Sequence, residues 1–170
     1  MRKLIYAFLI TFTFTGFVFG QTSSKELTGE LNKLVDQYNK PYGKTDQSQL
    51  VVIYVPGANN PFDKIYDKLK DKKLVQAKNI QFVGGFKEIV TAMNASKEMA
   101  QSHIQEAMIA RYGDQHFTIL HDMESKIEQL LKLKGYAIIT VKKNKMEKIE
   151  QFEFDRIKFL DALNNIYLTK

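Results

Sequence analysis

The sequence predicts an α/β protein, a three-layer sandwich in which a mixed sheet of about five strands carries helices on both faces, with an extra helix at the N-terminus. Three observations lead there. Short β-rich apolar runs alternate with stretches of helical period, the pattern of a mainly parallel sheet covered by helices. The run Leu50-Val51-Val52-Ile53-Tyr54-Val55 is apolar without alternation, so both its faces need cover. The last two strand-like segments are joined by the short link 142–146, which is too brief for a crossover and makes them an antiparallel hairpin.

Each element has a local reason. Leu27, Leu31, Leu34, Val35 and Tyr38 recur at helical spacing before Pro41 and Gly43, which predicts an amphipathic helix over 25–39. After the strand at 50–55, ended by Pro56-Gly57, Asn60 can cap and Pro61 can open a helix running to about residue 72. Ile80 to Val83 reads as a second strand, closed by Gly84-Gly85. A helical region fills 86–112, with a break near Asn94-Ala95-Ser96, an inner side of Ala100, Ile104, Ala107 and Met108, and Gly113 as a left-handed end. Residues 117–120 make a third strand. Asp122 caps a helix with Ile127, Leu130 and Leu131 inward, and Gly135 ends it. The segment 136–141 is a fourth strand and 149–154 a fifth. Because Ile149 and Phe152 fall on opposite faces of a regular strand, the fifth is expected to carry a bulge. Asp155 caps the last helix, whose stripe is Ile157, Leu160, Leu163 and Tyr167.

Composition bounds the function. A chain of 170 residues with 44% hydrophobic residues and no cysteine suggests one domain. It also excludes thiol catalysis, cysteine-ligated zinc, iron–sulfur clusters and a disulfide framework. Residues 1–20 read as a secretory signal: Arg2 and Lys3 precede a long apolar run that closes on Val18-Phe19-Gly20, with cleavage before Gln21, and an uncleaved N-terminal anchor is the alternative. The domain reading is therefore a signal over 1–20, an N-terminal helix and linker over 21–48, and the α/β domain over 49–170. Without Arg2 and Lys3 the remaining chain has 23 basic and 19 acidic residues, a net charge of +4. Lys142, Lys143, Lys145 and Lys148 lie beside Glu147 and Glu150 with no interleaved aromatics, which reads as a solvated turn and not a nucleic-acid site.

The element order resembles the thioredoxin-like fold, in particular its redoxin and TlpA-like branch, over roughly 50–167. The strand at 50–55 followed by Pro56-Gly57-Ala58-Asn59-Asn60-Pro61-Phe62 is similar to the family's strand, active-site turn and helix. Aligning Pro61 puts Asn59 and Phe62 at the two cysteine positions. Phe117-Thr118-Ile119-Leu120-His121-Asp122 resembles the family's strand ending in Asp, and 135–145 resembles its Gly-x-Pro-Thr, apolar strand and Lys-Asn-Gly segment. Ala137 then stands for the cis-proline and Lys145 for the turn glycine. The resemblance implies a redox scaffold that has lost its chemistry and retains a protein- or peptide-binding face at Asn59, Asn60, Pro61, Phe62, Tyr136 and Ala137, with Tyr54 beside it. No cofactor is expected, and the signal over 1–20 implies an exported, periplasmic or secreted, location with no membrane contact after its cleavage.

Two readings from other classes stand beside it. His103, His116 and His121 with Met93, Met99 and Met108 suggest a copper or zinc protein, although His116 and His121 lie at opposite ends of one strand and the three read as surface or strand-end histidines. An enzyme with an unrecognised site is the other. It lacks support: there is no Gly-x-Ser-x-Gly and no phosphate-binding glycine loop, and the carboxylate pairs Glu124/Glu128 and Glu98/Glu106 read as solvated helix faces.

Overall fold

The structure, a computed structural model, describes residues 24–42, 49–57, 80–113, 118–142 and 145–168. The expected signal over 1–20 and the helix expected from Asn60 lie outside the described residues. The elements are α1 (Ser24–Leu31), β1 (Gln49–Pro56), β2 (Ile80–Gly85), α2 (Lys87–Met93), α3 (Lys97–Tyr112), β3 (Ile119–Asp122), α4 (Lys126–Leu131), β4 (Ala137–Lys142), β5 (Lys145–Gln151) and α5 (Arg156–Leu168).

The sheet has five strands in the order β3-β2-β1-β4-β5. β1, β2 and β3 are parallel, β4 returns antiparallel to β1, and β5 is antiparallel to β4. The apolar run of β1 falls near the centre because both its faces are covered. Val51, Ile53 and Val55 enter one core with Ala100, Ile104, Met108 and Tyr112 of α3 and Phe159, Leu160 and Leu163 of α5. Leu50, Val52 and Tyr54 enter the other with Leu27 and Leu31 of α1 and Ile127 and Leu131 of α4. Fully burying a Val, Ile or Leu side chain stabilises by about 1.5–3 kcal/mol, so this alternation anchors the three layers.

Several boundaries differ from the sequence expectations. The first helix stops at Leu31 instead of reaching Asn39. The Asp36 carboxylate accepts the Tyr38 and Lys40 backbone N–H groups at 2.8 and 2.9 Å, and such local side-chain bonds compete with a helix. Residues 34–42 form a hairpin instead, bridged at Val35 and Pro41. Tyr38 is accordingly not in a helical stripe, and its hydroxyl donates to the Gly113 carbonyl at 3.0 Å. The helical region does break where expected. Asn94 adopts φ 48° and the Ser96 hydroxyl accepts the Met99 N–H at 3.2 Å. Gly113, by contrast, is right-handed and Ala107 is exposed.

At the C-terminal end, β5 covers 145–151 and not 149–154, because Lys142 pairs with Lys145 and brings the hairpin forward. The irregularity lies where Thr140 pairs with Lys148 but Val141 with Met146, leaving Glu147 as the extra residue. Asp155 caps α5 as expected, its carboxylate accepting the Lys158 N–H at 3.1 Å. Ile157 does not join the buried stripe. It is 71% exposed, and Phe159 takes the inward place beside Leu160 and Leu163.

The hairpin also covers the outer edge of β3. An edge strand leaves alternate backbone groups unpaired, and here the His121 N–H donates to the Val35 carbonyl at 2.9 Å while the Ile119 N–H donates to the Gln37 side-chain carbonyl at 3.1 Å. Gln105 of α3 ties the turn down, its amide donating to the Asn39 side chain at 2.6 Å.

Candidate functional site

Because β4 runs against β1, the ends of β1, β2 and β3 and the start of β4 meet at one rim of the sheet. Pro56-Gly57, Gly85, Asp122 and Tyr136-Ala137 all lie on it. In open α/β sheets this carboxyl-end rim is where ligands bind.

Close packing dictates the glycines there. A Cβ on Gly57 would sit 2.7 Å from the Gly85 carbonyl oxygen, and one on Gly85 would fall on the Tyr54 hydroxyl. Tyr54 is fully buried. Its hydroxyl donates to Glu128 Oε2 at 3.0 Å and also interacts with the Ser125 hydroxyl. Burial raises the phenol far above its ordinary value, so Tyr54 stays a protonated donor. Beside it the Asp122 carboxylate receives the Lys126 and Ile127 N–H groups at 2.9 and 2.8 Å and supplies the cap for α4. Burial raises the Asp122 pKa and outweighs these bonds, which act in the opposite direction.

The other half of the rim is aromatic. The Tyr136 ring stacks on Phe159 with centroids 4.9 Å apart and meets Phe154 edge-on at 5.9 Å. Tyr136 is 3% exposed and Ala137 0%. Ala137 is enclosed in the ladder between Tyr54 and Gln151, while Tyr136 is covered by the 152–155 turn and α5. That turn is unusual: Glu153 and Phe154 have φ 35° and 68°, a left-handed backbone that costs about 1–2 kcal/mol for such residues. Gly135, at φ 96°, makes the turn possible, since a Cβ there would lie 2.5 Å from the Phe154 nitrogen. The turn leaves Phe154 52% exposed next to the protruding Ile157.

Among solved structures, the chain is similar to the N-terminal domain of PilB from Neisseria gonorrhoeae, with TM-score 0.52, 13% identity and coverage of 82% of this chain and 92% of that one. Thioredoxin topology accounts for the five-strand order, the parallel trio and the C-terminal hairpin. The chain has the thioredoxin-like fold. A thioredoxin-like protein from Aeropyrum pernix (TM-score 0.46, 13% identity, 84% of this chain and 93% of that one) and a thiol-disulfide isomerase from Corynebacterium glutamicum (0.49, 14%, 79% and 91%) are similar as well. No family model and no curated protein matches the sequence.

The thioredoxin-like rim accounts for the site expectations unevenly. Asn59, Asn60, Pro61 and Phe62 lie outside the described residues. Tyr136 and Ala137 do stand at the start of β4, but neither offers exposed surface. Tyr54 and Tyr136 enter opposite cores. The exposed large apolar side chains at this corner are Phe154 and Ile157, which the sequence placed in a strand and a buried stripe. Their signal is conformational, a positive φ at an aromatic residue, and no sequence period carries it. Having no thiol, this thioredoxin-like chain cannot exchange disulfides through side chains of its own.

His103 is exposed on α3, His116 lies outside the described residues, and His121 stands near the end of β3 but is buried. Among the described residues, no three His, Asp or Glu side chains are placed to hold a metal ion. An open cleft of about 500 Å3 separates α2 from α4, lined by Lys87, Glu88, Thr91, Ser125, Glu128 and Gln129. Among the described residues no helix is long and apolar enough to cross a membrane.

Proposed function

We propose that the chain is an exported, non-catalytic thioredoxin-like protein that binds a protein or peptide partner through the Phe154 corner of the sheet rim. The observation that carries this reading is an exposed aromatic side chain held on a strained backbone. Strain and exposed apolar surface both cost stability and are typically retained where they contact something. Phe154 and Ile157 provide apolar contact area, and the stacked Tyr136 and Phe159 hold the corner rigid behind them, so little side-chain entropy is lost on binding. Asn59, Asn60, Pro61 and Phe62 are carried in the proposal as further members of this face, since the chain leaves β1 at the same rim. Export rests on the charged start and apolar run of residues 1–20.

The test uses unstructured peptides, each with a single aromatic or aliphatic residue, added to the isotope-labelled protein and followed by NMR. Shift changes centred on Gly135, Tyr136, Phe154 and Ile157 are expected, and Phe154→Asn should abolish them while leaving the melting temperature within a few degrees, since Asn tolerates the left-handed region. Shift changes confined to another face, or none across the peptide set, would sink the reading.

A further inference from the structure

We propose that the 34–42 hairpin is an acid-released cover of the β3 edge, with His121 as the group whose protonation releases it.

His121 is 2% exposed, and neither ring nitrogen has a hydrogen-bond partner among the described residues. Buried polar groups are ordinarily paired, so this ring is an exception that requires a reason. It lies on the Ile119 side of β3, edge-on to Phe86 at 5.2 Å. Its own backbone N–H holds the hairpin through Val35. The residue that senses protons and the bond that retains the cover are therefore the same residue.

The charged surroundings set the direction. On the hairpin, Asp36 is the one acid whose field reaches the ring, and its Oδ1 is already engaged by two backbone N–H groups of the turn. From α3 the inward residues are uncharged, and Lys97, Glu98, Glu106 and Arg111 occupy exposed positions. Lys87 and Glu88, which follow Phe86, are exposed, and Asp122 reaches α4 on the opposite face of β3. An imidazolium formed here would carry two N–H donors into an apolar setting, which is costly. Burial accordingly takes the ring from 6.5 down to about 4, and the Asp36 charge opposes this without reversing it. A group with a depressed cationic pKa favours the closed form above 6.5 and loses that preference as the pH falls towards 4. Opening the hairpin lets water solvate the ring and frees the Ile119 and His121 N–H groups as an unpaired strand edge.

Hydrogen exchange on the full chain at pH 7 and pH 5, corrected for intrinsic rates, decides the matter. Linkage predicts that opening of 34–42 and 119–122 increases about twentyfold at the lower pH, while 50–55 in β1, which opens only on global unfolding, stays more protected than the hairpin at both pH values. His121→Phe should remove the pH dependence. If that variant does not fold, NMR titration of the wild-type ring provides a second readout, with protonation expected well below 6.5. Unchanged or increased protection of the hairpin at pH 5, hairpin protection equal to that of β1 at both pH values, or a ring titrating near 6.5 would overturn the proposal.

Discussion

The Tyr54 hydroxyl, buried beneath the sheet rim, donates to the Glu128 carboxylate at 3.0 Å across 74 residues of sequence. This bond joins the central strand to α4, and the absence of a side chain on Gly85 leaves room for the phenol. Tyr54→Phe is expected to cost about 1.5–3 kcal/mol, the range for a hydrogen bond to a charged group. Gly85→Ala is expected to cost more, because its Cβ meets both the hydroxyl and the ring carbon that bears it. In the Tyr54→Phe background the Gly85→Ala penalty should shrink without vanishing, since the ring remains. Urea unfolding of the two single variants and the double variant measures this coupling.

Gly135 controls the Phe154 turn. Gly135→Ala places a Cβ at φ 96° and 2.5 Å from the Phe154 nitrogen, so destabilisation of about 2–4 kcal/mol is expected from strain and overpacking. The same variant should weaken peptide binding at the corner even in the fraction that remains folded. Thermal unfolding and the NMR titration, run on one sample, separate the two effects.

Overall stability should fall on acidification within a defined window. His121, depressed to about 4, adds stability that is fully present above 6.5 and declines as the pH drops, by at most about 3 kcal/mol. Asp122 acts with the opposite sign: its raised folded pKa favours the folded state below the ordinary carboxylate value, and that contribution is lost as the pH rises through the folded value. Between pH 6.5 and 5 the histidine should dominate, so the urea midpoint of the wild type declines there and that of His121→Phe is flatter. A wild-type midpoint constant over this window would contradict the assignment.

If the first twenty residues are an export signal, expression of the full chain in a bacterial host should yield an envelope or medium fraction beginning at Gln21. N-terminal sequencing reads this directly. Recovery of the chain with Met1 intact and embedded in membrane would instead favour the anchor.

No insulin reduction above buffer is expected, because each turnover needs a thiolate that the chain lacks. Activity surviving in cysteine-free, metal-free preparations would require a different chemistry at the rim.

Much of the fold was legible. Leu50 to Val55 announced a strand covered on two sides, Asp122 and Asp155 announced helix starts, and the short link after Val141 announced the hairpin. In each case a local property, such as unbroken apolarity, a capping carboxylate or loop length, suffices to determine the element. The misplaced features depended on distant partners. The helical spacing through Tyr38 was real, yet the bare edge of β3 and the Asp36 turn drew that segment into a hairpin. Ile157 fitted a stripe by count, but α5 turned Phe159 inward against Tyr136.

The sequence by itself determined the alternation of strands and helices, the antiparallel C-terminal hairpin and the impossibility of thiol chemistry, because these follow from periodicity, connection length and composition. Only the tertiary structure decided that the His121 ring is enclosed with no hydrogen-bond partner among the described residues, that Tyr136 is hidden and that Phe154 protrudes. Burial and backbone handedness at those residues are set by contacts between segments far apart in the chain, and no local pattern encodes such contacts.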